Sequence, residues 1–354
     1  MRIIVSAGGT GGHIYPALSI INKIKEKDKN AEILYVGTTY RMEKDIVPEH
    51  GIDYYGINVR GFDRKISTGN IRAIRLFIKA VREMKKLMKE FKPDLVIGVG
   101  GFVTGPVIYA AHKLHIKTII HEQNSVLGMT NRFLSKYADV VCTSFPDTKV
   151  NAKRVVYTGN PSSEDNNLKF DKKEFNLSDK KKLVVIVMGS LGSKVVNDKM
   201  KNILPKFNDK DYEILFITGN DYYEQFKSLK LNKNVVVVPF VNNLKRVFKK
   251  TDILVSRAGA TTISEITSFK VPTILVPSPY VTDNHQYKNA LSLVNRESAF
   301  MVEEKDIEEK LVKTIDDIIN DKERINKIKS NLSLLSTNNS ASKIYSLIEE
   351  MREL

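Results

Sequence analysis

The sequence predicts an α/β protein built from two doubly wound parallel-sheet domains, on three observations. Short apolar runs of strand length alternate with helical patterns, the order that assembles parallel sheets from βαβ units. The theme restarts halfway, since a buried strand and a glycine-rich turn open at Arg2–Gly12 and again at Leu183–Ser193. At 354 residues the chain is longer than one hydrophobic core sustains, so two domains are the natural division.

In the first half, Arg2 to Ala7 reads as a buried strand and Ile14 to Lys25 as a helix, with Gly8-Gly9-Thr10-Gly11-Gly12-His13 between them. This loop fits neither the dinucleotide pattern G-x-G-x-x-G nor a P-loop. Its glycines permit close backbone approach to a ligand at a helix N-terminus. A lone histidine is more often structural than catalytic, but His13 sits at the ligand edge of a sheet, where its titration range suits a general base. Further strands are read at 33–36, 95–99, 118–121, 140–143 and 155–157. Gly100 to Pro106 closes one of them and His121-Glu122-Gln123-Asn124 the next. Four polar side chains closing a buried strand mark either a site or a hydrogen-bonded network.

The helix Ile71 to Lys92 carries Ile71, Ile74, Ile78 and Val81 at three- to four-residue spacing, with Arg72, Arg75, Lys79 and Arg82 between them. It reads either as an ordinary amphipathic helix with part of its apolar face in the core, or as a cationic helix that docks on anionic headgroups.

The alternation breaks after Thr158-Gly159-Asn160-Pro161, and 162–182 is polar, which places the domain boundary there. Strands follow at 183–188, 212–217, 235–239, 253–255 and 273–276. Between Ile253 and Ala290 a turn carrying Gly259 and Ala260 leads through Thr261 and Thr262 into a helix containing Glu265. A second loop then gathers Asn284, His285, Gln286 and Asn289. Two polar loops at the carboxyl ends of neighbouring strands form a ligand edge, where a carboxylate one turn into a helix can accept both hydroxyls of a ribose. Thr262-x-x-Glu265 also fits a capping box, in which Glu265 serves only the helix start. A turn over Ser333–Ser342 precedes a last helix, Lys343–Leu354. The domains are therefore 1–161 with 338–354, and 162–337, facing each other across a ligand-binding cleft.

The net charge is +15. Residues 1–161 hold 25 basic against 14 acidic side chains, and Arg60–Lys92 alone holds 11 against 3, so the excess marks one part of the first domain. Nucleic acid, an anionic membrane and acidic ligands all suit such a charge. No RNA- or DNA-binding pattern is present, so nucleic-acid binding would have to be sequence-blind. The single cysteine, Cys142, lies in an apolar run and reads as a buried strand residue in a reducing compartment. The start, MRIIVSAGG, does not read as a signal peptide. The longest uncharged run, Leu95–His112, contains four glycines and a proline, which argues against a spanning helix.

GGTGGH (Gly8–His13), GGFVTGP (Gly100–Pro106), HEQN (His121–Asn124), TGNP (Thr158–Pro161), GSLGS (Gly189–Ser193), SRAGATTISEI (Ser256–Ile266) and HQYKNA (His285–Ala290) occur in one order across nearly the whole chain. Together they resemble the MurG family of peptidoglycan glycosyltransferases. The resemblance implies the GT-B fold and inverting transfer of N-acetylglucosamine from UDP-N-acetylglucosamine to the C4 hydroxyl of MurNAc in lipid I (undecaprenyl-diphosphoryl-MurNAc-pentapeptide), giving lipid II. The donor is then expected at Ser190, Gly259, Ala260, Thr261, Thr262, Glu265, His285, Gln286 and Asn289, with Thr10, Gly11, Gly12 and Asn124 from the first domain. Glu265 would hold the ribose, Ser190 a phosphate, and Gln286 and Asn289 the sugar. The acceptor diphosphate is expected near Gly8, Gly9, Gly101, Thr104 and Gly105.

His13 is the first expectation for the base and Glu122 the second. No cofactor is expected, nor a metal held by protein carboxylates. The family's membrane association points to Ile71, Arg72, Ile74, Arg75, Ile78, Lys79 and Arg82, to anionic inner-leaflet lipids as partners, and to a peripheral place on the cytoplasmic face of the bacterial membrane. Other cell-wall synthesis proteins are further candidate partners. Two departures stand out: Ser162 and Ser163 follow TGNP where the family usually has an arginine, and His285 replaces the first member of a common Gln-Gln pair. Other GT-B enzymes, a diacylglycerol glycosyltransferase or a UDP-N-acetylglucosamine 2-epimerase, are alternatives against which the Gly8–His13 and His121–Asn124 motifs argue.

Overall fold

The structure, a computed structural model, describes residues 1–62, 68–161, 170–189, 192–337 and 339–353. The chain forms two compact units, Met1–Glu164 with Thr337–Leu354, and Asp165–Ser336.

The first unit runs β1 (Arg2–Ser6), α1 (Gly11–Lys27), β2 (Glu32–Thr38), α2 (Glu43–Glu49), β3 (Asp53–Ile57), α3 (Thr68–Phe91), β4 (Leu95–Gly98), α4 (Thr104–Lys113), β5 (Lys117–Glu122), α5 (Met129–Leu134), β6 (Val140–Thr143) and β7 (Val155–Tyr157). Its strands are all parallel, in the order β3-β2-β1-β4-β5-β6-β7. The order reverses between β1 and β4, whose register pairs Ile3 with Leu95 and Ser6 with Gly98. Continuous apolar strands suit a sheet covered on both faces, and the buried residues accordingly form one cluster on each side of it. The sequence reading missed β3. Its residues, Asp53-Tyr54-Tyr55-Gly56-Ile57, are mostly half-buried at the sheet edge and lack an apolar run.

Helix α3 meets its neighbours through Ala73, Ala80, Met84 and Met88, all buried, whereas Ile71, Ile74 and Ile78 are exposed by 56%, 49% and 45%. The core therefore uses a different stripe of the helix from the isoleucines. Cys142 on β6 is fully buried, and burial pushes its thiol up to about 12, so it packs as a small apolar side chain.

The second unit runs β8 (Leu183–Val187), α6 (Lys194–Ile203), β9 (Glu213–Ile217), β10 (Val235–Val238), α7 (Lys245–Phe248), β11 (Ile253–Ser256), α8 (Ala260–Phe269), β12 (Thr273–Leu275), α9 (His285–Val294), β13 (Phe300–Met301), α10 (Ile307–Ile319) and α11 (Lys322–Leu335). Its strands, again all parallel, follow the order β10-β9-β8-β11-β12-β13, and the reversal falls between β8 and β11. The two-residue edge strand β13 was also missed by the sequence reading.

The chain then returns to the first unit as α12 (Ser340–Glu353), which packs on α1. Ile344, Leu347, Ile348 and Met351 join the cluster that contains Ile14, Ile20 and Ile21. Each such burial contributes about 1.5–3 kcal/mol, enough to dock a helix of this length on a unit far from it in sequence.

Candidate functional site

In the first unit the loops after β1 and β4 meet at the switch point, where ligands bind in open α/β sheets. The Gly8 N–H donates to Gly100 O at 3.3 Å. Gly101, at φ +87°, lies so close to Gly8 O that a Cβ there would strike it. The Gly9 N–H donates to Glu43 Oε2 at 3.1 Å. Thr104 is buried, its hydroxyl donates to Gly101 O at 2.7 Å, and the Gly105 N–H donates to Phe102 O.

The amides of Gly8, Gly9 and Gly105 and the hydroxyl of Thr104 brace the two loops. Helix α1 begins at Gly11 with Thr10 at its cap and no side chain capping it, so the amides of Gly11 and Gly12 are those a helix leaves without intrahelical partners.

His13, in the first turn of α1, places Nδ1 at 3.1 Å from Gly8 O and 3.3 Å from Thr10 Oγ1. A carbonyl oxygen only accepts, so Nδ1 carries a proton, and the tautomer this selects has its lone pair on Nε2. The ring lies against Gly100, at φ +96°, where a Cβ would fall 2.6 Å from His13 Cδ2.

His121 to Asn124 form chiefly a buried network. His121 is fully buried, and burial holds its imidazole below the usual range. Its Nε2–H donates to Gly159 O at 2.9 Å, while Gln123 Nε2 donates to His121 Nδ1 and Val99 O. Glu122 is 2% exposed. Its Oε1 accepts from the Asn124 N–H and Nδ2, and its Oε2 from the Gly128 N–H and from Asn131 Nδ2 at 2.9 Å. Four donors on a buried carboxylate fix the loop from 122 to 131, and its oxygens are engaged where a base would need to reach a substrate proton.

In the second unit the corresponding loops follow β8 and β11, again at the switch point. Ser190 lies outside the described residues. Helix α8 is capped by Gly259 without a side-chain bond, and Glu265 sits well inside it rather than at the third position. The capping-box reading is thereby excluded. The Glu265 carboxylate has 14% exposure and stands 3.9 Å from Lys245 Nζ. Burial pushes its pKa up to about 7, with Lys245 opposing.

Asn289, expected on the sugar, is fully buried, and its Nδ2 donates to Ala258 O at 3.2 Å, which ties α9 to the β11–α8 loop. Gln286 accepts from the Ser278 N–H at 2.9 Å, which ties α9 to the loop after β12. His285 is the half-buried first residue of α9, whose entry turn uses positive φ at Asp283 and Asn284. Thr261 and Thr262 are half-buried in the first turn of α8.

Three organising residues escaped the sequence reading: Glu43, Asn131 and Arg257. The buried Arg257 guanidinium donates to Ser193 Oγ at 2.7 Å, to Val276 O at 3.1 Å and to the Glu304 carboxylate, which joins three segments at the strand ends. Of the three, Arg257 alone lies inside one of the motifs, Ser256–Ile266. The Asp-x-Asp triplet Asp209-Lys210-Asp211, a spacing able to hold a divalent ion, precedes β9 at the opposite edge of the sheet from these loops, and Lys210 pairs with Asp316. Ser162 and Ser163 lie outside the described residues. Arg72, Arg75, Lys79 and Arg82 are exposed beside the isoleucine stripe of α3. Phe133, 42% exposed on α5, stacks edge-on against Phe77 of α3 and extends that apolar surface.

Comparison with known proteins matches the glycosyltransferase family 28 N-terminal domain over residues 3–143 and its C-terminal domain over residues 183–350. The chain is 42% identical to the UDP-N-acetylglucosamine–N-acetylmuramyl-(pentapeptide) pyrophosphoryl-undecaprenol N-acetylglucosamine transferase of Halalkalibacterium halodurans. It is 43% identical to a transferase of the same name from Bacillus thuringiensis, with 99% of both chains covered in each case. The crystal structure of Acinetobacter baumannii MurG superposes with a TM-score of 0.83 at 27% identity over 99% of both chains. A putative UDP-N-acetylglucosamine 2-epimerase from Listeria monocytogenes, at 10% identity and a TM-score of 0.68 over 99% of this chain and 96% of that one, shares the fold alone. With both family 28 domains in tandem and full-length relatives above 40% identity, this chain belongs to the MurG family of GT-B glycosyltransferases.

Proposed function

We propose that the chain transfers N-acetylglucosamine from UDP-N-acetylglucosamine to the C4 hydroxyl of the MurNAc residue of lipid I, forming lipid II with inversion at the anomeric carbon. The observation that carries this reading is the place of the motif loops, which lie at the switch points of two parallel sheets, with a half-buried carboxylate, Glu265, one helical turn behind one of them. The second unit takes the donor. Glu265 accepts the ribose hydroxyls, and the first-turn amides of α8 face the diphosphate, whose negative charge grows as UDP leaves. Helix N-termini perform that stabilisation without a metal ion. The first unit takes the acceptor at the loops after β1 and β4.

His13 Nε2 removes the C4 hydroxyl proton as the oxygen attacks the anomeric carbon opposite the departing UDP. The new C–O bond forms as the old one breaks, so no covalent enzyme intermediate is needed. Glu122, with four donors on its oxygens, shapes the loop beside the acceptor.

The enzyme meets its lipid substrate by docking the exposed isoleucines of α3 among anionic headgroups, as a peripheral protein of the cytoplasmic face. This is supported by the stripe Ile71, Ile74 and Ile78 beside Arg72, Arg75, Lys79 and Arg82. No helix among the described residues is long and apolar enough to cross a membrane.

The test is transfer of labelled N-acetylglucosamine to a short-chain lipid I analogue in EDTA, with diacylglycerol as rival acceptor. Label in a β1,4-linked disaccharide supports the reading. Label in diacylglycerol, or epimerised sugar without acceptor, overturns it, and activity that returns only with magnesium overturns the metal-free mechanism.

A further inference from the structure

We propose that Glu43 is a positioning residue for His13 and acts on it through the Gly8–Gly9 peptide. This rests on the reading of His13 as the base. Glu43, at the start of α2, is fully buried. Its Oε2 accepts from the Gly9 N–H at 3.1 Å, and its Oε1 accepts from the Thr38 N–H at 3.1 Å and the Thr38 hydroxyl at 2.7 Å. The carbonyl of the same peptide, Gly8 O, accepts from His13 Nδ1–H at 3.1 Å. One amide unit therefore has a carboxylate at its N–H and an imidazole at its C=O.

Negative charge at the N–H polarises the amide towards its oxygen and strengthens that oxygen as an acceptor. A stronger acceptor at Nδ1–H favours the imidazolium and holds the tautomer that leaves the lone pair on Nε2. A carboxylate bonded directly to a catalytic imidazole does the same work, and here a peptide stands between them.

Two glycines make the approach possible. A Cβ on Gly8 would fall 2.5 Å from Glu43 Oε1, and one on Gly100 would fall 2.6 Å from His13 Cδ2. Among the described residues no cation pairs with Glu43. A fully buried carboxylate held only by neutral donors is a costly way to brace a loop, since an amide of the same shape would be cheaper to bury. Glu122 carries a like cost as a brace, and what sets Glu43 apart is that one of its donors, the Gly9 N–H, belongs to the peptide whose oxygen accepts from His13.

The titratable groups around the pair are Tyr35 on β2, Tyr54 on β3 and Asp45 on α2 on the Glu43 side, and the buried His121 on β5, whose charge would oppose that of His13, on the other. Both phenols are held protonated, by burial first and by the Glu43 charge second. Tyr35 donates to Ala7 O at 3.0 Å and Tyr54 to Thr38 O at 2.7 Å, so neither competes for the carboxylate.

The experiment follows the His13 ring by NMR titration in the full-length protein and pairs it with kinetics. In Glu43→Gln the His13 pKa and the acidic limb of kcat/KM fall together by about half a unit or more. Its kcat falls about tenfold to a hundredfold, by analogy with groups that orient reactive histidines, while UDP affinity holds. In a His13→Ala background the same change costs less than about twofold, because the two act as one unit. Tyr54→Phe, which removes a hydroxyl from the same buried cluster but no charge, leaves the limb in place.

An unshifted His13 titration in folded Glu43→Gln, or an equal loss in both backgrounds, overturns the proposal and leaves Glu43 as a brace. In the wild-type protein the Gly9 amide proton moves with the His13 titration. An amide insensitive to that titration overturns the relay even if the variant does not fold. Near-normal turnover in His13→Ala overturns the base reading, while the ring titration still judges the coupling to Glu43.

Discussion

The Glu265 carboxylate of α8 stands 3.9 Å from the Lys245 ammonium of α7, nearly removed from solvent, and burial has pushed its pKa up to about 7 against the pull of that lysine. The native protein thus binds a proton here between about pH 4.5 and 7 that the unfolded chain has released. This group's contribution to stability is fully present at the low end of that window and is lost as pH rises through about 7. With Glu265 in the proposed role on the ribose, ligand binding has the opposite sign, because ribose hydroxyls would donate to the ionised form. UDP affinity should therefore fall about tenfold from pH 8 to pH 6, in excess of the change in Glu265→Gln, which shares the titration of UDP itself. Glu265→Gln should also melt higher at pH 8. Calorimetry at both pH values decides, and parallel pH profiles for the two proteins would remove Glu265 from the ribose.

Gly101→Ala concentrates two costs at one position. The backbone there is at φ +87°, and the new methyl would point into Gly8 O, the oxygen that accepts from His13. A left-handed non-glycine residue costs about 1–2 kcal/mol, and the clash must add to it by moving the loop. We expect a lower melting temperature and a loss of kcat of at least about a hundredfold, with UDP affinity unchanged. A variant that melts lower but turns over normally would show that the loop contact does not set the His13 geometry.

The switch-point loops were legible because glycine turns after apolar runs have few other uses. The contacts that organise them were not. Gly9 and Glu43 lie 34 residues apart, Ser193 and Arg257 64, and Arg257 and Glu304 47, and such separations leave no periodic mark in a sequence. Helix α3 shows a subtler limit. Its apolar positions were visible, but the core stripe through Ala73, Ala80 and Met84 cannot be told from the exposed stripe through Ile71, Ile74 and Ile78 by spacing alone. The edge strands β3 and β13 escaped because one is mostly half-buried and the other is two residues long.

Glu122 and Asn131 should behave as a structural pair. Glu122→Gln places an amide NH2 or its oxygen against the four donors now shared by the two carboxylate oxygens, so at least one donor is left facing another. A buried group without its partner costs about 1–3 kcal/mol, which thermal unfolding reads directly. If Glu122 shapes the loop, turnover falls but the acidic limb of the pH–rate profile stays where it is. A limb that disappears in Glu122→Gln and persists in His13→Ala would reverse the assignment of base and brace.

The α3 surface separates hydrophobic from electrostatic docking. Ile71, Ile74 and Ile78 are exposed on one side of the helix, and Arg72, Arg75, Lys79 and Arg82 surround them. Replacing the three isoleucines by serine removes apolar area available to the lipid interface and nothing from the core, so the melting temperature should hold. Binding to vesicles containing phosphatidylglycerol should drop by at least about a hundredfold, and added salt should not restore it. Replacing Arg72, Arg75 and Lys79 by glutamine should instead weaken binding about fivefold per charge at low salt, with the difference from wild type shrinking as salt is raised. Both variants should turn over a short-chain soluble acceptor at the wild-type rate. If they bind vesicles as the wild type does, the exposed isoleucines of α3 serve some surface other than lipid.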